Sequence, residues 1–598
     1  MRILRRLILW VSCASAAALP SSWPRDDGGQ AQQQPVPVTG MTTGLDSGTS
    51  ERPARWEVNV LQDEGGPRWD LYIQGLAALQ NKSEADERSH FSIAEFSILT
   101  MQFASQRFMG DLTLLTTESD RCRVAQTQAS APTAWEIQFV AWHRPYVALY
   151  EQALGTEIQR IASEYGDGEN ASAYRDAAQA FRLPYWDWAA HPQLPPACAP
   201  ERVTVRGPRG LLALRNPLYS YRWQTQPLNQ TLFPGSRDWP PETTRASPSG
   251  GGGNGGQTQS LDAVNANLAQ VADQLKDLVY RTFTYAATYD QMSSMADPAG
   301  VSFEASHNIV HNAVGGSFAS LDTTAFDSLL PFFAAPNSML HHANLDRLAA
   351  LWVAVHRNAT HQLRPYATRG LYGTAAGDTV TAASPLKPFY QADGRTFHTG
   401  LTAAELAPFG YTYAELEDWE QARGEEGKGW EERDRARKGI VSRINALYGN
   451  GKDGGKADAE ATAAVAEEEW FVRIAVDRSD LKLPCNIDVF VGDRLAGRMA
   501  LLAMPKQGLA YAEIPLRRAV QGLRLDSNNT TGRITVGDAL REMLRVEIKS
   551  SSGTKTEVKN VASLELHLVA VTVTARGSES EFPEYGERST YVKIQPVS

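Results

Sequence analysis

Apolar positions set the first division of the chain. From Trp69, "WDLYIQGLAALQ" places Leu71, Ile73, Leu76 and Leu79 near one face of a helix. "QFVAWHRPYVALYEQ", Gln138 to Gln152, carries an amphipathic run with Val147, Leu149, Tyr150 and Glu151. "LDAVNANLAQVADQLKDLVYRTF", from Leu261, and "HHANLDRLAALWVAVH", from His341, are two further helical stretches. After Tyr448 the period is lost in "GNGKDGGKADAEAT". Beyond it "EWFVRIAVDR", "NIDVFVGD", "LAYAEIPL", "RVEIKS" and "LELHLVAVTVTA" alternate or run β-branched, as strands do. The pattern predicts a mainly helical domain over 51–449 with a glycine-rich insertion at 247–260, a linker over 450–466, and a β-rich domain over 467–598.

Composition narrows the class. With 598 residues the chain is too long for one small core. Its net charge of -10 and lack of a basic stripe give no reason to expect nucleic acid. Residues 1–20 read as a secretory signal peptide, and no segment is apolar for long enough to span a membrane. Residues 21–50 are rich in Pro, Gln, Gly, Ser and Thr and are expected to be disordered. Glycosylation triplets at Asn81, Asn170, Asn229, Asn358 and Asn528 agree with export. Cys13 would leave with the signal. Cys122, Cys198 and Cys485 remain, an odd set that forms neither a disulfide scaffold nor a zinc ribbon.

The eleven histidines are unevenly placed. His307 and His311 are four apart, so a helix puts both imidazoles on one face. His341 and His342 follow, with Asp346 four residues after His342, where a carboxylate orienting the imidazole is expected. His143 stands between Trp142 and Arg144 and needs partners to be a ligand. Three imidazoles without cysteine suit copper or zinc.

These segments, "WHRPYVALYEQ", "HNIVHNAVGG" and "MLHHANLDRLAALW", resemble the copper-binding signatures of the tyrosinase family. "LPYWDWAAHP", "FGYTYAELEDW" and "RWEV" from Arg55 are similar to its Trp-Asp-Trp stretch, its tyrosine motif and the arginine segment that pairs with that motif. The β-rich region resembles the C-terminal domain of filamentous-fungal members. The resemblance implies a four-helix bundle holding two copper ions, each on three histidines. It implies a secreted oxidase that hydroxylates phenols or oxidises catechols to o-quinones with dioxygen, with small phenols as substrates and no nucleic-acid or membrane partner. His307, His311 and His342 match the ligands of the second copper, His341 a neighbouring non-ligand, and His143 the last ligand of the first copper. Asn308 and Glu304 match residues that hold a water acting as base on the phenol. A pigment-forming role such as melanin synthesis, latency imposed by the C-terminal domain, and its release by a cut in the linker around Lys452 to Ala461 come by the same analogy.

The pattern breaks at the first copper. Ser97 and Ala134 stand near the places where two more histidines belong, and no histidine lies between His90 and His143. The Cys-x-His pair is missing at Cys122, and the approach from Asp327 to His341 is about eight residues too long by the family pattern. Two explanations stay open. The first copper has been lost, leaving a single-copper or non-catalytic relative, or residues from about 95 to 137 and near Pro331 reflect a faulty gene model. A dioxygen carrier, as in related haemocyanins, fits a signal-bearing single chain less well. The sequence leaves oligomeric state and natural substrate open.

Overall fold

The computed structural model of the chain describes residues 36–45, 51–94, 138–166, 171–227, 241–243, 245, 261–315, 337–356, 365–367, 377–424, 430–449, 466–502, 505, 507–522, 535–550 and 554–594. The expected signal peptide, Ser97, Cys122, Ala134, the glycine-rich insertion, Asp327 and the linker at 450–465 lie outside these residues. So do the triplets at Asn170, Asn229, Asn358 and Asn528, whereas Asn81 is exposed.

Among the described residues six long helices build the first part: α1 Gly66–Asn81, α2 Phe139–Ala162, α3 Leu261–Tyr285, α4 Phe303–Gly315, α5 Asn337–Val355 and α6 Trp430–Tyr448. α1 packs on α2, α2 on α5, α4 on α3 and α5, and α6 on α3 and α5. The α1–α2 approach is tight: a Cβ on Gly75 would stand 2.4 Å from Ile158 Cγ1. The single apolar face expected for α1 understates its burial. Asp70, Tyr72 and Gln74 are buried as well, because α1 also meets a hairpin, β2 Arg202–Gly207 and β3 Gly210–Arg215. Asp70 is satisfied there by Tyr174 Oη at 2.6 Å and the Arg206 N–H at 3.0 Å. α2 is buried at every position from Phe139 to Glu151, so its run is not amphipathic in that half.

Among its described residues the C-terminal part holds two antiparallel four-stranded sheets. Their strands are β5 Ala466–Asp477, β6 Cys485–Val491, β7 Arg494–Leu501, β8 Leu509–Pro515, β9 Leu544–Ser550, β10 Lys555–Thr556, β11 Glu565–Thr574 and β12 Glu584–Lys593. The sheet orders are β7-β6-β9-β10 and β8-β5-β11-β12. Val472, Ile474, Ile487, Val489, Ile514 and Leu568 share one apolar core between them. Met295 and Ala305 of the helical part belong to the same core, so the β-rich domain seats on the start of α4. Gln274 of α3 pins the edge of β7 with both ends of its amide, donating to Arg498 O and accepting from the Arg498 N–H. Cys198 and Cys485 are buried thiols, pushed by burial up to about 11 and about 12.

A buried ionic knot ties the helical part together. β1 Ala54–Arg55 pairs in parallel with β4 Thr412–Tyr413 and carries Arg55 inward. Arg55 donates to Glu151 of α2 at 2.8 Å and to Asp346 of α5 at 3.1 Å. Arg144 of α2 donates to the other oxygen of Asp346 at 2.6 Å. Tyr411 and Tyr413 donate to Asp346 at 2.6 and 2.7 Å, and the Arg55 guanidinium lies 3.6 Å above the Tyr411 ring. Two cations balance two anions, and each of the four groups makes at least one hydrogen bond within the knot, which lowers the cost of holding them in a dry interior. Asp346 therefore does not orient His342 as expected. It faces the opposite way, because two guanidinium groups and two phenols claim it.

Burial alone would raise the Asp346 carboxyl, but Arg144 and Arg55 outweigh it and hold the group below its ordinary range. Its contribution is full above the unfolded value of about 3.9 and is lost as pH falls through the lower folded value. Arg144→Met is expected to raise that folded value. Acid unfolding, followed by tryptophan fluorescence, then begins at higher pH, and urea denaturation at neutral pH shows a loss of roughly 3–5 kcal/mol. An unchanged acid midpoint would contradict this assignment.

Candidate metal centre

α4 and α5 supply four imidazoles to one buried point. Phe303, Ile309, Val310 and Val314 anchor α4 in the core, which leaves His307 and His311 one turn apart on its inner side. α5 brings His341 and His342. The Trp-Asp-Trp stretch holds its first turns: the Trp186 N–H donates to Leu340 O at 3.1 Å, and the Trp188 ring lies 5.8 Å from that of His341. Asp187 accepts from Arg347 at 3.2 Å and from Tyr448 Oη at 2.6 Å.

His307 Nε2 lies 2.8 Å from His311 Nε2 and 3.2 Å from His342 Nε2. One ligand atom from each of His307, His311, His341 and His342 falls within 4.8 Å of the others. The outer nitrogens fix the rings. His307 Nδ1 donates to Asn308 Oδ1 at 2.9 Å, and His342 Nδ1 lies 3.3 Å from Ser338 Oγ. In that tautomer the His307 Nε2 lone pair points inward. Burial first, and then the neighbouring imidazoles, holds all four histidines well below the ordinary imidazole range. They are neutral at physiological pH, the form a metal requires. Bonds of roughly 2.0–2.1 Å to one ion leave ligand nitrogens about 3–3.4 Å apart. The donor set and its spacing fit a copper ion on His307, His311 and His342.

His341 is buried among them and stacks on His307 with centroids 4.8 Å apart. Neither of its ring nitrogens has a hydrogen-bond partner among the described residues. His143 reaches the same place from α2. Its Nδ1 donates to Phe139 O at 2.7 Å, and its ring stacks on His342 with centroids 5.1 Å apart and planes 17° apart. Burial holds it down to about 4. His90 stands elsewhere, bonded to Tyr150 Oη at 2.8 Å and packed on Tyr221. Among the described residues His143 is thus the one further imidazole brought to the cluster, from α2.

Glu304 is buried one turn before His307. Its Oε2 accepts from Ser294 Oγ at 2.7 Å and from the Met295 N–H at 2.8 Å. Its Oε1 lies 3.6 Å from the guanidinium of Arg478, at the end of β5. Asn308, one turn on from Glu304, donates to Met295 Sδ at 3.4 Å. Met295, Ser338 and Arg478 escape sequence reasoning. They carry no local pattern, and Arg478 is remote in the chain.

The common central domain of tyrosinase matches residues 117–355. The chain is 28% identical over 438 residues to the tyrosinase of Neurospora crassa, covering 69% of this chain and 58% of that relative. It is 27% identical over 453 residues to the tyrosinase of Podospora anserina, covering 73% of each. In fold it is similar to recombinant mushroom tyrosinase, with a TM-score of 0.71 at 20% identity over 94% of this chain and 98% of that one. With the histidine cluster on α4 and α5 and the β-rich domain that follows, these likenesses support a member of the tyrosinase and polyphenol oxidase family with a C-terminal domain.

Proposed function

We propose that the chain is a type 3 copper oxidase acting on small phenols and o-diphenols with dioxygen, in which the His307, His311 and His342 half of the centre is complete. The observation that carries this reading is the inward convergence of three neutral imidazole nitrogens. Copper bound there would supply the redox chemistry. The chain's own residues do the rest. α4 and α5 hold the ligand rings, and the apolar wall of Phe139 and Tyr146 keeps bulk water away from them. A water held between Glu304 and Asn308 would take the phenol proton. A secreted location agrees with the N-terminal segment, and among the described residues no helix is long and apolar enough to cross a membrane.

A second reading is favoured by one observation. No histidine lies between His90 and His143, so His143 has no sequence neighbours with which to complete the other half. The chain as given then holds a single copper and does not turn over catechols, since the family chemistry needs both ions. Protein of this sequence is expected to bind one copper per chain, counted by elemental analysis, with no catechol oxidation. His307→Ala lowers the count to zero, and His143→Ala leaves it at one. Two coppers with catechol turnover would discard the single-copper reading. A transcript that encodes histidine near positions 97 and 134 would assign the gap to the gene model.

We also propose that the β-rich domain covers the centre and keeps it latent. Its seat on the start of α4 supports this, together with the 2.9 Å bond from Asn312 of α4 to Asn486 of β6. Limited proteolysis is expected to cut first near Gly454, and a chelator should then strip the bound copper faster. An unchanged stripping rate after the cut argues against cover.

A further inference from the structure

Between the short helix Tyr289–Ser293 and α4 the chain forms an arch, 294–300. Two tight turns shape it, Asp297 N–H to Ser294 O and Gly300 N–H to Asp297 O. β8 is an edge strand of its sheet. Its outward N–H groups are taken by the feet of the arch: Tyr511 donates to Met295 O at 2.9 Å, and Glu513 donates to Gly300 O at 2.9 Å. An edge strand offers such groups to whatever backbone lies beside it. Gly300 has a φ of 74°, and a Cβ there would stand 3.1 Å from Ala512 C, so the close approach needs glycine. Arg588 donates to Ala299 O at 3.0 Å, and Arg473 donates to Pro298 O. The β-rich domain therefore grips the arch at four carbonyls, those of Met295, Pro298, Ala299 and Gly300.

Met295 connects that grip to the metal-binding helix. Its N–H donates to Glu304, its carbonyl accepts from β8, and its sulfur accepts from Asn308. Arg478 of the β-rich domain faces the remaining oxygen of Glu304 from 3.6 Å, with both side chains buried. We propose that the β-rich domain sets the positions of Glu304 and Asn308 through this arch, with Arg478 as the charged positioning residue that holds Glu304. That these two side chains serve phenol chemistry rests on the function proposed above. The coupling between domain and helix is a separate matter, and its test does not need turnover.

Hydrogen–deuterium exchange on the full chain reads the coupling directly. Arg478→Gln removes the charge facing Glu304. It is expected to speed exchange of the Met295 N–H and of residues 304–308 by roughly tenfold or more, because it leaves a buried carboxylate without its ion-pair partner. Exchange in α2 around His143 stays unchanged, and Arg478→Lys restores most of the protection. Tyr511→Pro removes the N–H given to Met295 O from an edge position where proline is tolerated, and it should loosen the arch with Arg478 intact. Unchanged exchange at Met295 in both the Gln and Pro variants overturns the proposal. So does acceleration spread evenly over α2 and α4, or a Lys variant that behaves like the Gln variant. Copper content of the unsubstituted chain is measured alongside. If it binds none, the functional reading fails while the exchange result still decides the coupling.

Discussion

Asp346 is the constraint on which the rest depends. A lone carboxylate at 1% exposure would be too costly to keep ionised. It is kept because Arg55 comes from the first strand, Arg144 from α2, and Tyr411 and Tyr413 from the segment entering β4. These groups are spread over more than 350 residues of sequence and can meet only in one arrangement of the helices. Arg144 follows His143 directly, and Asp346 lies one turn after His342. The knot therefore fixes how α2 and α5 face each other, and with that the stacking of His143 on His342.

The histidine cluster inherits its chemistry from this rigidity. Five histidines packed together would repel one another if charged, and burial already disfavours the charged form. They are neutral for that reason, and neutral imidazoles are ligands. The outer hydrogen bonds then choose which nitrogen faces inward, through Asn308 for His307 and Phe139 O for His143. The Trp-Asp-Trp stretch adds a second clamp on α5: Arg347, next to Asp346, bonds Asp187 and Glu415 on the other side of the helix.

The β-rich domain is joined by polar as well as apolar contacts. Glu513 is fully buried, and it is met by Arg281 of α3 and by Arg588 and Arg473 of its own domain. Such a charge is tolerated only while its partners stay in place, so the interface discriminates strongly against partial detachment. Ala305 and Met295 add apolar burial beside it. The interface thus reaches the helix that carries His307 and His311 without any ligand being drawn from the β-rich domain.

Much of this was legible in the chain itself. The helical periods of 69–80, 261–283 and 341–356 and the alternation beyond 467 mark real elements, because each buries a face its own sequence declares. β12 was not legible: "EYGERSTYVK" has no apolar alternation, and it forms since β11 offers it an edge. The i, i+4 spacing of His307 and His311 suggested a shared metal, since helix geometry is local. The motif resemblance pairs the arginine segment with the tyrosine segment. What they hold is not legible in this way: spacing alone places Asp346 beside His342, and only tertiary packing brings two arginines and two tyrosines to it. Arg478 and the arch at 294–300 carry no signal in their neighbourhoods. Their roles arise from two domains meeting, and a contact between Glu304 and Arg478, 174 residues apart, is decided by the fold rather than by local sequence.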